Sequence, residues 1–144
     1  MAAPYPTCYL NGSLLPLAEA RISPLDRGFL FADGVYEVIP VRRGRMFRLR
    51  QHLHRLENSL AAIRLPNPHS LEQWADIAGR VAAAVGATEL LVYLQVTRGA
   101  EPGRNHLFPS DATPTVFAFA SPFPAPAART LEHGLSAVTL QDIR

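Results

Sequence analysis

The sequence predicts an α+β domain, in which an antiparallel or mixed sheet carries two helices packed on one side. Two hairpin signals near the start and two apolar runs further along supply the strands of that sheet. Between them, two consecutive segments place apolar residues at helical spacing. The chain has 144 residues, of which 48% are hydrophobic and 18% charged. That length and composition suit one folded domain with its own core.

Each hairpin is predicted from its turn. In "CYLNGSLLPL" an Asn-Gly dipeptide begins at Asn11 between apolar residues, which predicts a first hairpin over about 7–16. The segment "PLDRGFLFADG" then reads as a loop with at most one helical turn. In "VYEVIPVRRGRMFRL" apolar residues alternate, and an Arg-Gly turn beginning at Arg43 predicts a second hairpin. Pro40 cannot donate a ladder hydrogen bond, so its strand is expected to be an edge strand or bulged there.

The helices are predicted from a change of period. From Arg50 to about Leu65 one apolar stripe recurs at helical spacing, formed by Leu53, Leu56, Leu60 and Ile63. Ser70 followed by Gln73 is a capping box, which predicts a second helix from there to about Val85. "ELLVYLQVT" and "TVFAFAS" are then predicted as strands, separated by a long polar loop.

A proline-rich segment suggests how the chain is divided. "PFPAPA" has the stiff, extended composition of an interdomain linker. We therefore expect an N-terminal α+β domain over residues 1–120, a linker over 121–128, and the opening strand of a truncated second domain over 129–144. A lone strand cannot form a core, so the chain is expected to be cut short.

Composition excludes several kinds of protein. The single cysteine, Cys8, rules out an internal disulfide framework and a cysteine-cluster zinc site. No apolar run approaches the roughly 20 residues of a membrane helix, and no secretory signal is visible, so we expect a cytoplasmic protein without a membrane partner. A net charge of +2 gives no reason to expect nucleic-acid binding. All basic residues are arginines, so no lysine of this chain can form a Schiff base.

Two pairs of cationic residues could bind an anion. His52 and Arg55 are three residues apart and flank the apolar stripe of the first helix. Arg55 could clamp a phosphate or carboxylate there, or could only extend over the edge of the core, which is commoner for an arbitrary arginine. Arg104 and His106 lie in the long polar loop, where they could bind an anion or only be solvated, and spacing alone favours the second. No metal-ligand spacing is present, so no metal site is expected.

Three segments occur in this order along the chain: "DRGFLFADGVYEV", "HLHRL" and "VTRGAEPGRNH". Taken together, they resemble the class IV aminotransferases, the pyridoxal-phosphate enzymes of fold type IV. The resemblance is greatest to the D-amino acid aminotransferases. It implies that Tyr36, Arg104 and His106 hold the carboxylate of the substrate, with the Arg-x-His pair reaching in from the neighbouring subunit of a homodimer. It also implies that Arg55 binds the phosphate of pyridoxal 5'-phosphate, and that the substrates are an amino acid and a 2-oxo acid.

The resemblance also implies what this chain lacks. The Schiff-base lysine of the family is expected just beyond Arg144, so no catalytic residue is expected within the chain and the chain alone should be inactive. The loop differs from the family pattern by an additional residue, Gly103. Other readings within the family are an aminodeoxychorismate lyase, a branched-chain aminotransferase or an R-selective amine transaminase. Outside it, a non-catalytic dimerisation or binding module remains an alternative.

Overall fold

Six strands form one antiparallel sheet in the computed structural model, which describes residues 3–111 and 113–141. In chain order they are β1 Thr7–Leu10, β2 Ser13–Pro16, β3 Gly34–Arg42, β4 Arg45–Met46, β5 Leu90–Thr97 and β6 Thr115–Pro122. Across the sheet the order is β2-β1-β6-β5-β3-β4. Every neighbouring pair is antiparallel. The sheet is therefore antiparallel throughout, the first of the two forms that the sequence allowed.

Both predicted hairpins are present. β1 pairs with β2 across a turn in which Asn11 and Gly12 have φ of 46° and 103°. β3 pairs with β4 across a turn in which Arg43 and Gly44 have φ of 51° and 72°. Two consecutive positive φ angles match the right-handed twist of the strands, which is why two-residue hairpins favour them.

β3, which contains Pro40, is not an edge strand as predicted, because the short strand β4 lies outside it. β4 pairs only with the last two residues of β3, and β5 covers its other side from Gly34 to Val41. The carbonyl oxygen of Pro40 accepts a hydrogen bond from Phe47 N at 2.8 Å, so this residue faces the β4 side. Its missing N–H therefore removes nothing from the ladder with β5.

Four α-helices accompany the sheet in the described residues. They are α1 Arg27–Phe31, α2 Leu49–Ala62, α3 Leu71–Ala83 and α4 Ala128–His133. α2 and α3 are the two helices that the sequence predicts. α3 begins with the expected capping box: Ser70 Oγ accepts from Gln73 N at 3.3 Å, and Gln73 Oε1 accepts from Ser70 N at 2.8 Å.

α2 and α3 pack on the same face of the sheet, as predicted, and the core lies between them and the strands. Leu53, Leu56 and Leu60 of the predicted stripe are buried in α2. The sheet contributes alternate buried residues, among them Ile39, Val41, Leu90, Val92, Leu94, Val96, Val116, Ala118 and Ala120. This alternation is expected of a sheet with only one face covered by helices.

The opposite face of the sheet is rich in aromatic residues that are only partly covered. Tyr36 stacks on Tyr93 with ring centroids 5.6 Å apart, Tyr93 contacts Phe119 at 5.0 Å, and Phe119 contacts Phe117 at 5.6 Å. The ladder runs across β3, β5 and β6. Tyr36 is its most exposed member, with 64% of its surface accessible.

The strand predicted within residues 129–144 is wrong over the part of that range that the structure describes. α4 occupies its beginning, Gly134 follows the helix with φ of 71°, and no strand lies within residues 134–141. A strand needs a partner for its backbone groups, and this segment pairs with none of the six strands. Residues 142–144 lie outside the described residues. The domain limits stay a prediction.

No helix in the described part of the chain is both long and apolar enough to span a lipid bilayer.

Candidate anion-binding site

A buried carboxylate on β3 holds an arginine and a histidine of α2. Glu37 is only 2% exposed, and it lies on the helix-covered face of the sheet. Its Oε1 accepts from Arg55 Nε at 2.5 Å and its Oε2 from Arg55 Nη2 at 2.6 Å. His52 Nδ1 lies 2.9 Å from Oε2. The helical spacing of three residues puts His52 and Arg55 on one face, so both reach the same carboxylate.

The electrostatics of this cluster favour its charged form. Burial raises the pKa of Glu37, but the hydrogen bonds from Arg55 and then His52, with their charges, outweigh it, so the pKa is lowered. The hydrogen bond and charge of Glu37 in turn raise the pKa of Arg55, with a smaller contribution from the charge of Tyr36. Glu37 is therefore an ionised anchor near neutral pH, and it fixes Arg55 in one orientation.

A shallow pocket of about 310 Å³ opens beside this cluster, at the start of α2. Its lining residues are Arg48, Gln51, His52 and Arg55. The sequence predicts that Arg55 lies at the margin of the apolar face of α2. In the structure its side chain is 66% exposed, so the guanidinium lies largely in solvent. Two guanidinium groups, an imidazole and the positive end of a helix dipole suit a phosphate or carboxylate.

Tyr36 lies on the aromatic face of β3, because side chains alternate along a strand and its neighbour Glu37 points into the core. Its ring stacks on Tyr93, and its hydroxyl group has no hydrogen-bond partner among the described residues. Tyr36 and Arg55 therefore extend from opposite faces of the sheet.

Arg104 and His106 come together in the loop between β5 and β6. Arg104 Nη1 lies 3.3 Å from His106 Nε2, and both residues are exposed. The ring of Phe31, at the end of α1, contacts both: its centroid lies 5.1 Å from that of His106 and 4.8 Å from the Arg104 guanidinium carbon. The pair is therefore a cationic group of side chains held against one aromatic ring.

The structure brings the predicted residues together in two groups, not one. Arg55 is in the α2 pocket, and Arg104 and His106 are on the Phe31 ring. Tyr36 has no hydrogen bond or ring contact with either loop side chain in the described part of the chain. This separation is compatible with an Arg-x-His pair that serves a neighbouring subunit, which the resemblance implies.

Sequence reasoning missed three participants: Glu37, Arg48 and Phe31. Glu37 could have been found, because a glutamate in the inward phase of an apolar strand must be paired with a cation when buried. Arg48 and Phe31 carry no such signal. Their parts depend on how α1, α2 and the loop pack together, which no local pattern specifies.

Comparison with known proteins agrees with this fold. The sequence model of amino-transferase class IV matches residues 34–144. The chain is 34% identical over 137 residues to the D-alanine aminotransferase of Staphylococcus haemolyticus, covering 94% of this chain and 48% of that protein. The chain thus spans about half the length of the curated relatives it matches.

Solved structures share the fold. A hypothetical aminotransferase from Mycobacterium tuberculosis, in a PLP-bound form, superposes with a TM-score of 0.70 at 26% identity, over 88% of this chain and 42% of that one. The 4-amino-4-deoxychorismate lyase from Pseudomonas aeruginosa superposes with a TM-score of 0.71 at 28% identity, over 87% and 43%.

The helix-backed antiparallel sheet thus carries two groups of side chains, one around Arg55 and one around Arg104, whose donors could hold a small anion. The chain belongs to the class IV aminotransferase family.

Proposed function

We propose that this chain supplies the N-terminal part of a pyridoxal-phosphate-dependent aminotransferase that moves an amino group between a D-amino acid and a 2-oxo acid. The proposal rests on the position of Arg55, whose guanidinium is held by the buried carboxylate of Glu37 and lines the α2 pocket. The similarity to D-alanine aminotransferases supports the D-amino acid branch.

The α2 pocket fits the phosphate of the cofactor. Arg48 and Arg55 supply guanidinium donors, and His52 adds an imidazole. Arg55 donates to Glu37 through Nε and Nη2, so its Nη1 remains available to donate to a ligand. Bound pyridoxal phosphate would act as an electron sink for the substrate carbon. The chain contains no lysine, so the covalent anchor of the cofactor must come from outside residues 1–144.

The substrate carboxylate is assigned to Tyr36, Arg104 and His106. A guanidinium, an imidazole and a phenol provide the charge-assisted and neutral donors that a carboxylate requires. Because Tyr36 is apart from the loop pair in one chain, the complete site needs a second copy. We therefore expect a homodimer in which the loop of one subunit completes the site of the other, with amino acid and 2-oxo acid as its small-molecule partners.

The Arg-x-His pair separates the alternatives. The family resemblance implies that the lyases lack this pair, and that branched-chain enzymes tend to have Phe-Glu-Gly where this chain has Tyr36-Glu37-Val38. Here Arg104 and His106 are present and lie 3.3 Å apart. This favours an amino acid transaminase over a lyase, although the lyase fold is equally similar. A substrate without a carboxylate would gain nothing from the pair.

The test uses the complete product of the gene. Transamination of D-alanine, L-alanine and a simple chiral amine is compared for the native protein and for Arg104→Ala/His106→Ala. We expect D-alanine to be the preferred substrate, and the double variant to raise KM for D-alanine more than for the amine. If both substrates suffer equally, the pair does not bind the carboxylate.

The phosphate assignment has its own test, with a control on the same helix. Arg55→Ala should weaken retention of pyridoxal phosphate on dialysis by roughly 10- to 100-fold, since a charge-assisted bond contributes about 1.5–3 kcal/mol. Arg50→Ala removes an equal charge from an exposed position of α2 that does not line the pocket. Equal retention in both variants would leave Arg55 as a surface residue without a cofactor role.

A further inference from the structure

The loop that carries Arg104 and His106 has little regular structure of its own. It joins β5 to β6, and the one ladder-like contact of its described residues is an isolated bridge between Asp26 and Ala100. Exposed loops lose their order easily, because few buried contacts oppose their conformational entropy. Two side chains that must meet a carboxylate in a fixed geometry therefore need support from outside the loop.

Arg27, the first residue of α1, provides that support from a buried position. The residue is 3% exposed. Its Nη1 donates to the carbonyl oxygen of Asn105 at 2.6 Å and to that of Leu107 at 3.3 Å, the carbonyls on either side of His106. Its own backbone N–H donates to Gly99 O at 2.8 Å. One arginine thus fastens the loop both near its start and at the residues that bracket the histidine.

The opposite end of α1 supplies the second contact. Phe31 lies four residues after Arg27 and therefore on the same face of the helix. Its ring is 4.8 Å from the guanidinium carbon of Arg27 and 4.8 Å from that of Arg104, and His106 packs against it at 5.1 Å. Cation–π contacts of this kind favour one placement of the guanidinium over the ring.

Arg98 shows what a similar arginine does without this role. Like Arg27 it is 3% exposed and donates to Asp33, through Nε at 2.8 Å. Its Nη2 also donates to Asp33 at 3.1 Å, and its remaining side-chain hydrogen bonds go to the carbonyls of Ile63 and Arg64 at the end of α2, not to the loop. Both arginines share one anion, but only Arg27 donates hydrogen bonds to the backbone around His106.

We propose that Arg27, together with Phe31, is a positioning residue that sets the geometry of the Arg104–His106 pair. Neither residue contacts substrate in this role; they act through the loop backbone and through the stacked side chains. The inference rests on the proposed function for its consequence in substrate binding. The structural part, order in the loop, is measurable on the 144-residue chain without any cofactor.

The first measurement is limited trypsin digestion of the folded chain, with fragments identified by mass. The Arg104–Asn105 bond lies inside the loop, and Arg129, in α4, gives an internal standard away from it. In Arg27→Lys, a single ammonium nitrogen replaces Nε, which bonds Asp33, and Nη1, which bonds the two carbonyls, so it cannot occupy both positions. We expect cleavage after Arg104 to accelerate at least about 10-fold relative to the standard, the effect of losing one charge-assisted hydrogen bond.

Arg98→Lys is the matched control, because it alters the same buried cluster without removing a hydrogen bond to the loop, and it keeps a cation beside the loop residue Phe108, whose ring centroid lies 4.0 Å from the Arg98 guanidinium carbon. It should leave cleavage after Arg104 within about twofold of the native chain. Phe31→Leu keeps the buried charges intact, so it tests the ring even if Arg27→Lys fails to fold, and it should also accelerate that cleavage. Unchanged cleavage in Phe31→Leu, or equal acceleration in the two lysine variants, would overturn the proposal.

The second measurement links the loop to substrate in the complete protein. Arg27→Lys should raise KM for D-alanine with kcat little changed, and Arg98→Lys should not. If the protein does not transaminate D-alanine at all, the proposed function fails and the digestion result still decides the positioning role. If the protein does transaminate D-alanine but Arg27→Lys lowers only kcat, the positioning role is wrong and the proposed function still stands.

Discussion

Replacing Glu37 by glutamine tests the buried anchor of the α2 pocket. The substitution keeps the size of the side chain and one carbonyl oxygen, but removes the charge that Arg55 and His52 share. In the native chain the pKa of Glu37 is lowered, which means that hydrogen bonds to its charged form more than offset the cost of burying it. The charge therefore stabilises the folded chain, and its loss should destabilise it.

The size of the effect follows from the contacts. Two short bonds from Arg55 and one from His52 are affected, and a bond to a charged group contributes about 1.5–3 kcal/mol. The guanidinium is 66% exposed and can rehydrate, so solvent reduces the loss. We expect the free energy of unfolding at pH 7 to fall by about 1–2 kcal/mol, measured by urea denaturation.

The pH dependence is the sharper test. A carboxyl group with a lowered pKa contributes stability above its unfolded pKa, and loses it as the pH falls through its folded pKa. The difference in the free energy of unfolding between the native chain and Glu37→Gln should therefore be largest near pH 7 and should disappear in acid. Glu57→Gln, on an exposed part of α2, is the matched control. A difference that stays constant from pH 7 into acid would refute the reasoning.

Three further predictions concern the rest of the fold. Ser70→Ala removes the capping side chain of α3 and should lower the free energy of unfolding by about 1 kcal/mol in urea denaturation. Cys8 is fully buried, and burial raises the pKa of its thiol, so iodoacetamide should modify it only after denaturant is added, as mass spectrometry would show. Gly34→Ala would place a Cβ 2.6 Å from the carbonyl oxygen of Val96 in the paired strand, so its melting temperature should fall, whereas Gly79→Ala, with open space around it, should not show that loss.

The elements of the fold were predictable because each is specified by a short stretch of sequence. The turns at Asn11 and Arg43 need only their own dipeptides, and the stripe of α2 needs only its own period. The strand expected after residue 128 failed for the opposite reason. Alternating apolar residues do not make a strand without a partner, and the large apolar residues Leu135, Val138 and Leu140 are all more than 80% exposed.

The site was predictable only in part. Arg55, Arg104 and His106 were identified from charge, spacing and family resemblance, and the structure gives each a defined neighbour. What sequence did not show was the set of groups that hold them. Arg27 bonds to Asn105, 78 positions along the chain, and no local pattern can report such a contact. Long-range hydrogen bonds depend on the folded arrangement of α1 against the loop.

These groups give a physical reason for the acidic residues around Tyr36. Asp33, just before β3, accepts from both Arg27 and Arg98. Burial raises its pKa, but those hydrogen bonds outweigh burial and lower it. Glu37, just after Tyr36, does the same for Arg55 on the helix side. Asp33 thus anchors Arg27, which bonds to the loop of Arg104 and His106, and Glu37 anchors Arg55 of the α2 pocket. Because Asp33 and Glu37 are four residues apart along one stretch of backbone, the spacing between the two groups of cations is set by the backbone that carries Tyr36.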